Sequence, residues 1–438
     1  MSARTAVTGA LWRVIQTAEP VLERVAHRVV RPLLPHVPRI PRLRPAGGGE
    51  SGRTRVTILL LNSYGMGGTI RTAFNLAAYL SQRYDVEVVS VKRRKRRALI
   101  PFPEGVRMTA LDDTIRRRRN RSRFARRLLA AHPSHLVNIE DWRHREFSLW
   151  SDLLIMNHLR GLTGVLISTR PGLNLIAARH APPGVRTIGQ EHMHLHSHRA
   201  LLREDIKRLY PRLDALAVLT ESDLRDYAEL FEPGRPPVLR MPNAVPAMDG
   251  GLADPASKVV IAAGRLTSQK GFDRLIPAWA PVARAHPEWR LEIYGEGPER
   301  AKIEGLVAKH GVGDSVAMPG RTDRLGEAFA RSSVFVLSSR REGLPMVILE
   351  AMSKGLPVVS FDCPTGPAEI ITDQNGILVP NADVPALTQA LLEVIEDDEL
   401  RSRLGKGAME TAARYDIEVI GQEWADLIES LLAAPASR

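Results

Sequence analysis

Two short stretches carry side chains whose types and spacing suit a charged, hydroxyl-rich ligand. The first is GRLTSQKG, residues 264–271, where Arg265 and Lys270 stand in a glycine-bounded loop. A guanidinium forks onto phosphate oxygens and an ammonium acts as a movable point charge, so together they suit a diphosphate. The second is REGLPMVILE, residues 341–350, with Glu342 before Gly-Leu-Pro and Glu350 further along an apolar run. Carboxylates accept hydrogen bonds from sugar hydroxyls. Pro345 suits a first helical turn, so the amides around Gly343 to Met346 would form an anion site. Singly, each residue also reads as an ordinary loop or helix charge. Their order in one region, with Gly-Glu-Gly-Pro at 295–298 between them, makes them a set.

These stretches need elements to hold them. Lys258 to Ala263 is an apolar run suited to a buried parallel strand, with the 264–271 loop at its carboxyl end and a helix over 272–285 behind it. Arg290 to Tyr294, Val334 to Leu337 and Pro357 to Phe361 read as further strands, and 384–433 as amphipathic helix. An earlier region has the same grammar. Val56 to Leu61 is a strand, NSYGMGGT at 62–69 a glycine-rich turn, Ile70 to Ser81 a helix and Asp85 to Val91 a strand. More strands are expected near 135–139, 164–168, 185–189 and 214–219. Strand, glycine loop, helix, strand opens a Rossmann-like unit. Pro-Asn-Ala-Val-Pro at 242–246 reads as the junction. The expected class is α/β, with two Rossmann-like domains over 54–241 and 242–413 facing a central cleft. A basic extension and linker over 1–53 precedes them, and a C-terminal helix over 414–438 is expected to pack back toward the N-terminal domain.

The second half closely resembles the donor-binding domain of the retaining family 4 glycosyltransferases, enzymes of the GT-B fold. The resemblance runs from about Val56 to Ala413 and is strongest from Val259 to Pro380. It implies that Arg265 and Lys270 hold the donor diphosphate, that Glu342 lies by the transferred sugar, and that Glu350 binds the ribose. The amides of Gly343 and Leu344 would complete these contacts. The N-terminal half matches more loosely. Gly65-Met-Gly-Gly68 resembles the loop facing the diphosphate and acceptor, which adds Gly68 to the donor contacts. His192, in Gln-Glu-His-Met-His, corresponds to the family's cleft histidine. General acid, donor-sugar contact and plain packing all stay open for it. Four histidines over 192–198 also raise zinc binding, but neither a cysteine nor an HExxH pattern accompanies them. Arg170, in Ser-Thr-Arg-Pro-Gly, is a candidate for the acceptor side.

Asp362-Cys-Pro-Thr-Gly-Pro-Ala-Glu369 stands where many relatives carry a Gly-Gly-rich turn. This version looks like the branch of poly(glycerol-phosphate) glycosyltransferases, and Cys363 is expected to pack rather than react. The activity implied is hexose transfer, with retention, from a nucleotide diphosphate-sugar (a UDP-sugar favoured) to a hydroxyl. The acceptor would be a cell-envelope glycan, a polyol-phosphate or a lipid-linked glycan. Catalysis is assigned to Arg265, Lys270, Glu342 and His192, with no cofactor and no metal, and no Asp-x-Asp follows a strand. Two other classes stay open: a sugar-nucleotide epimerase of the same fold, and a non-enzymatic basic protein that binds RNA or membrane.

The 438 residues carry a net charge of +12, unevenly spread. Residues 1–53 hold nine Arg against three Glu, and residues 92–127 hold fifteen Lys and Arg against three acids. Both runs, and an amphipathic pattern over 11–29, suit an anionic membrane surface. Nucleic acid is not expected, because residues 92–127 contain only Phe102 and Phe124 as stacking groups. A single cysteine and the absence of a long apolar stretch or secretory signal point to a cytoplasmic protein, peripheral on the inner face of the plasma membrane.

Overall fold

The computed structural model describes residues 52–115 and 122–435. The amphipathic stretch over 11–29, nearly all of the linker and the arginine run at 116–121 lie outside the described residues. The chain forms two compact units. One runs to Ala217 and takes back Asp226–Leu239 and the chain from Leu427; the other holds Val218–Arg225 and Arg240–Asp426. Among the described residues no helix is long and apolar enough to cross a membrane.

The first unit is built on a sheet of order β3-β2-β1-β4-β5-β6-β7. Its strands are β1 Arg55–Asn62, β2 Asp85–Arg93, β3 Arg107–Asp113, β4 Val165–Ser168, β5 Arg186–Gln190, β6 Ala215–Val218 and β7 Val238–Arg240. Pairing is parallel from β3 through β6. The second sheet runs β10-β9-β8-β11-β12-β13 and is parallel throughout. Its strands are β8 Val259–Ala263, β9 Arg290–Tyr294, β10 Val316–Gly320, β11 Val334–Leu337, β12 Val358–Asp362 and β13 Gly376–Pro380.

The second sheet shows why its central strands are unbroken apolar runs. Successive side chains of a strand point to opposite faces. Val260, Ala262, Val334 and Val336 pack with Trp279 and Leu391 on one face, while Ile261, Ala263, Phe335 and Leu337 pack with Ile348, Leu349 and Ala408 on the other. Helices cover both faces, so neither side of these strands tolerates a polar residue.

The strands expected from the apolar runs match, with the exception of the one near 135–139, and the strands not expected are β3, β7, β10 and β13. These are the four edges of the two sheets. An edge strand is half-wet, and β3 (RMTALDD) and β10 (VAMPG) carry charges or a proline accordingly. Residues 135–139 form turns instead of a strand. The Asp152 carboxylate accepts from the amides of His135 at 2.8 Å and Leu136 at 3.4 Å, and the Ser134 hydroxyl from that of Val137 at 3.1 Å, so these amides are not free for a ladder. The place beside β1 belongs to β4. The expected helix over 384–433 divides into Val384–Glu396, Asp398–Ala413 and Ile417–Ala433. Near the end of the last of these, Glu429 accepts from the Tyr84 hydroxyl at 3.4 Å within the first unit.

Asp152 is itself buried, and burial pushes its carboxyl from 3.8 up to about 6. Between about pH 4 and 6 the unfolded chain releases this proton while the folded chain keeps it. Folding therefore weakens as pH rises through that window, by on the order of 3 kcal/mol, and the effect is complete above it. Asp152→Asn removes this dependence. The wild-type-minus-variant difference in urea-unfolding free energy, measured across pH 4–7, is expected to show it.

Candidate functional site

In a sheet of order β10-β9-β8-β11-β12-β13 the strand order reverses between β8 and β11. Loops leaving the carboxyl ends of such a pair diverge and open a crevice for a ligand. The loop after β8 is 264–271 and the loop after β11 is 338–345, so the fold brings together the two stretches that sequence singled out.

The loops are stitched to each other. The Arg340 amide donates to the Gln269 carbonyl at 2.8 Å, the Ser338 hydroxyl to the Lys270 carbonyl at 3.1 Å, and the Gln269 amide side chain to the Arg341 carbonyl at 3.1 Å. The Arg340 guanidinium grips both oxygens of Asp273 at 2.7 and 2.9 Å and also the Ser268 carbonyl at 2.6 Å. That hydrogen-bonded guanidinium holds the Asp273 carboxyl below its usual range. Gly271 takes φ +66, and a Cβ there would stand 2.0 Å from the Ser338 carbonyl, so both the backbone turn and the close approach require glycine. The Gly-Glu-Gly-Pro turn supports the first loop from behind, where the Leu266 amide donates to the Glu296 carbonyl at 2.9 Å and the Glu299 amide to the Leu266 carbonyl at 3.0 Å.

Within this frame the predicted residues take distinct positions. Arg265 is exposed on its loop. Lys270 turns inward, and its Nζ lies 2.6 Å from Oε1 of the buried Glu342. The same oxygen accepts from the buried Ser339 hydroxyl at 2.5 Å. Leu344 is buried in the core cluster of Ile348 and Leu349, which anchors the backbone at Gly343. The helix that follows is Met346–Met352, so Pro345 stands at its N-cap instead of inside the first turn. Its carbonyl accepts from the Ile348 amide at 2.9 Å, a tight closure that starts the helix one residue later than expected. Glu350 is the helix's fifth residue, about one turn in, and is buried.

Three contributors were not read from sequence. Ser339 is one. The second is the 362–369 turn, where the Thr365 hydroxyl donates to the Glu342 carbonyl at 2.7 Å and the Glu342 amide to the Pro364 carbonyl at 3.2 Å. Thr365 sits at φ +58, and next to it a Cβ on Gly366 (φ +95) would stand 1.9 Å from the Gly343 carbonyl. At the far end of this turn, the Glu369 carboxylate accepts from the Glu221 and Ser222 amides at 2.8 and 2.9 Å, a favourable place for an anion at a helix start. The third is Arg340. Only the unusual residues at 362–369 signalled any of this. Cys363 is buried beside Glu342, and burial, reinforced by that carboxylate, pushes its thiol up to about 12. It packs, as expected.

The other predicted residues belong to the first unit, whose strand order reverses between β1 and β4. Gly68 opens the helix Gly68–Leu80 directly after the glycine loop, two residues earlier than expected, and a Cβ on it would meet nothing within 4 Å. Arg170 follows β4 and caps the helix Pro171–His180, with its guanidinium on the buried Asp141 at 2.6 Å. His192 has a buried Nε2 without a hydrogen-bond partner among the described residues, and burial lowers its pKa to about 4, so the ring is neutral near pH 7. The preceding Glu191 belongs to a buried network that sequence did not reveal. It accepts from the Tyr210 hydroxyl and, at 2.9 Å, from Asn174, and its other oxygen lies 3.8 Å from His198 Nε2.

Two Rossmann-like parallel sheets, one carrying a cationic loop and a carboxylate loop at its switch point, define the GT-B class of glycosyltransferase fold. The family model for glycosyl transferases group 1 matches residues 249–411. The amylovoran biosynthesis glycosyltransferase AmsD of Erwinia amylovora is 31% identical over 249 residues, 56% of this chain and 70% of that protein. The chain belongs to this family. It is also 34% identical over 388 residues to an exopolysaccharide phosphotransferase of Streptomyces coelicolor, covering 86% of this chain but spanning only 41% of that relative's length. Among solved structures, S. aureus TarM in complex with fondaparinux, alpha-GlcNAc-glycerol and UDP superposes with a TM-score of 0.68 at 15% identity, over 87% of this chain and 100% of that one. That likeness concerns the fold.

The turn at 362–369 yields a prediction. Thr365→Val removes one hydrogen bond to the Glu342 backbone and is expected to weaken binding of a ligand in this crevice by about three- to tenfold, with the thermal midpoint nearly unchanged. Thr365→Ser restores it. Gly366→Ala forces the Gly343 carbonyl away and weakens binding more strongly. Calorimetric titration of the three variants checks the order.

Proposed function

We propose that the protein is a retaining hexosyltransferase that moves a sugar from a nucleotide diphosphate donor to a hydroxyl of a cell-envelope glycan, a polyol-phosphate or a lipid-linked acceptor. The observation that carries this reading is the Lys270–Glu342 contact at the switch point, with Arg265 exposed on the same loop. A diphosphate entering there meets two cations, and the hexose beside it meets a carboxylate already oriented by Ser339. A UDP-sugar is favoured as donor.

The chemistry follows from the charge that develops. The bond between the anomeric carbon and the phosphate oxygen breaks, and negative charge grows on the leaving diphosphate, where Arg265 and Lys270 stabilise it. The acceptor oxygen bonds to the anomeric carbon from the same face, and its proton passes to the departing phosphate oxygen. Glu342 acts in sugar recognition instead of as a covalent nucleophile. One of its oxygens already accepts from both Lys270 and Ser339, which lowers its nucleophilicity. Glu350, one turn into the following helix, is assigned to the ribose. His192 is neutral near pH 7, which favours a hydrogen-bonding role over proton donation by a charged imidazolium. Arg170, already matched by Asp141, serves the acceptor side through position more than through free charge.

A thermal-shift panel of UDP-, GDP- and ADP-sugars identifies the donor, and Arg265→Ala, Lys270→Ala and Glu350→Ala are then assayed for transfer and donor hydrolysis. Each of the first two is expected to lose on the order of a hundredfold in turnover, and Glu350→Ala to raise the donor KM. Wild-type rates in all three overturn the assignment. Phosphorus NMR of the products separates sugar transfer, which releases a nucleoside diphosphate, from sugar-phosphate transfer, which releases a monophosphate.

A further inference from the structure

The loop that follows β2 in the first unit is built to present cations outward. Arg93 folds back under it. Its guanidinium donates to the carbonyls of Lys95 at 3.3 Å and Arg96 at 2.9 Å, pairs with Asp113 at 3.2 Å and lies 4.6 Å over the Tyr64 ring. The Thr114 amide and hydroxyl bind the Arg93 carbonyl at 3.1 and 2.8 Å, tying the loop to the end of β3. With its carbonyls held inward, the loop exposes Arg94, Lys95, Arg96 and Arg97 in succession, and none of the four has an ion-pair partner among the described residues. A run of four matched surface charges would be a solvated face; four unmatched ones on a loop pinned by Arg93 and Thr114 are an unsatisfied electrostatic surface.

The same loop then exposes apolar groups. Leu99 is 42% and Phe102 37% exposed, although Phe102 stands edge-on to Tyr64 and Phe74 at 5.3 and 5.8 Å, which fixes its position. On the same carboxyl edge of the sheet, the segment bound to Arg170 after β4 presents Trp142, 62% exposed, with Arg143 stacked 4.1 Å over its ring. Cations interleaved with an exposed aliphatic side chain and an amphipathic aromatic match the interface of a bilayer, where ammonium and guanidinium groups meet phosphate headgroups and Trp, Phe and Leu enter the acyl boundary. A soluble anionic polymer would need the cations alone and would leave the apolar tips in water.

We propose that this rim, the 94–102 loop together with Trp142 on the same carboxyl edge of the sheet, docks on the surface of an anionic lipid bilayer. The charge run supplies long-range attraction, and Leu99, Phe102 and Trp142 supply shallow insertion. This goes beyond the transferase reading and does not depend on it, since it concerns binding without turnover.

The test uses the full chain and sucrose-loaded vesicles of phosphatidylcholine with or without phosphatidylglycerol, over a salt series. Wild type is expected to sediment with the anionic vesicles and to be released by salt. Arg94→Glu, Lys95→Glu, Arg96→Glu and Arg97→Glu together are expected to lower binding on the order of a hundredfold, and Leu99→Ser by about threefold to tenfold at constant charge. Leu99→Trp reports insertion, because its emission is quenched by lipids brominated in their acyl chains. Unchanged thermal midpoints show that these variants fold. Equal sedimentation of the wild type and the fourfold variant overturns the proposal. So does loss in the fourfold variant with none in Leu99→Ser, no bromolipid quenching, and displacement by inorganic polyphosphate, the outcome for a polyanion site.

Discussion

The second unit depends on one contact, the Lys270 ammonium on the Glu342 carboxylate. It joins residues seventy-two positions apart in the chain and does so at the place where a parallel sheet reverses its order. Neither loop has a hydrophobic core of its own. Each is held by strand ends, by one leucine reaching the core (Leu266 in one, Leu344 in the other), by carbonyl and amide bonds, by the Arg340–Asp273 pair and by this ion pair. Burying one charge there without the other would be costly, because a desolvated carboxylate or ammonium needs a partner. The pairing also leaves Lys270 already engaged, while Arg265 stands exposed on the same loop.

The central strands were legible because they are buried on both faces. A strand with helices above and below has no polar face, and Val334–Leu337 or Val259–Ala263 reads as an unbroken apolar run whatever its neighbours. Edge strands β3, β7, β10 and β13 are decided by what pairs with them, and their composition overlaps that of loops. The error at 135–139 has a similar cause. A buried carboxylate and a serine hydroxyl took the amides of an apolar stretch, and nothing in that stretch announces a partner at position 152.

The candidate site was legible in its charged residues and illegible in what aims them. Arg265, Lys270, Glu342 and Glu350 stand out as residue types at a spacing. That Ser339 shares an oxygen with Lys270, or that Thr365 holds the Glu342 carbonyl from the next strand's loop, depends on angstrom-scale backbone placement. The same holds for Glu191, whose carboxylate is buried among Tyr210 and Asn174 one residue before the histidine that drew attention. Side chains that touch a ligand leave a chemical trace in sequence, and side chains that orient them mostly do not.

Glu369 carries a consequence for recombining such proteins. Arg265, Lys270, Glu342 and Glu350 all lie between β8 and β13, and with the helices that follow up to Ala413 this continuous length of chain carries most of its own core, which makes it an attractive cassette for transplantation into a relative. The Glu369 carboxylate, however, seats on the amides of Glu221 and Ser222, which belong to a short piece of chain contributed from outside that cassette. A graft cut at the strands alone would sever the carboxylate from the helix start it caps, so the crossover points of a working chimaera must travel with residues 218–225.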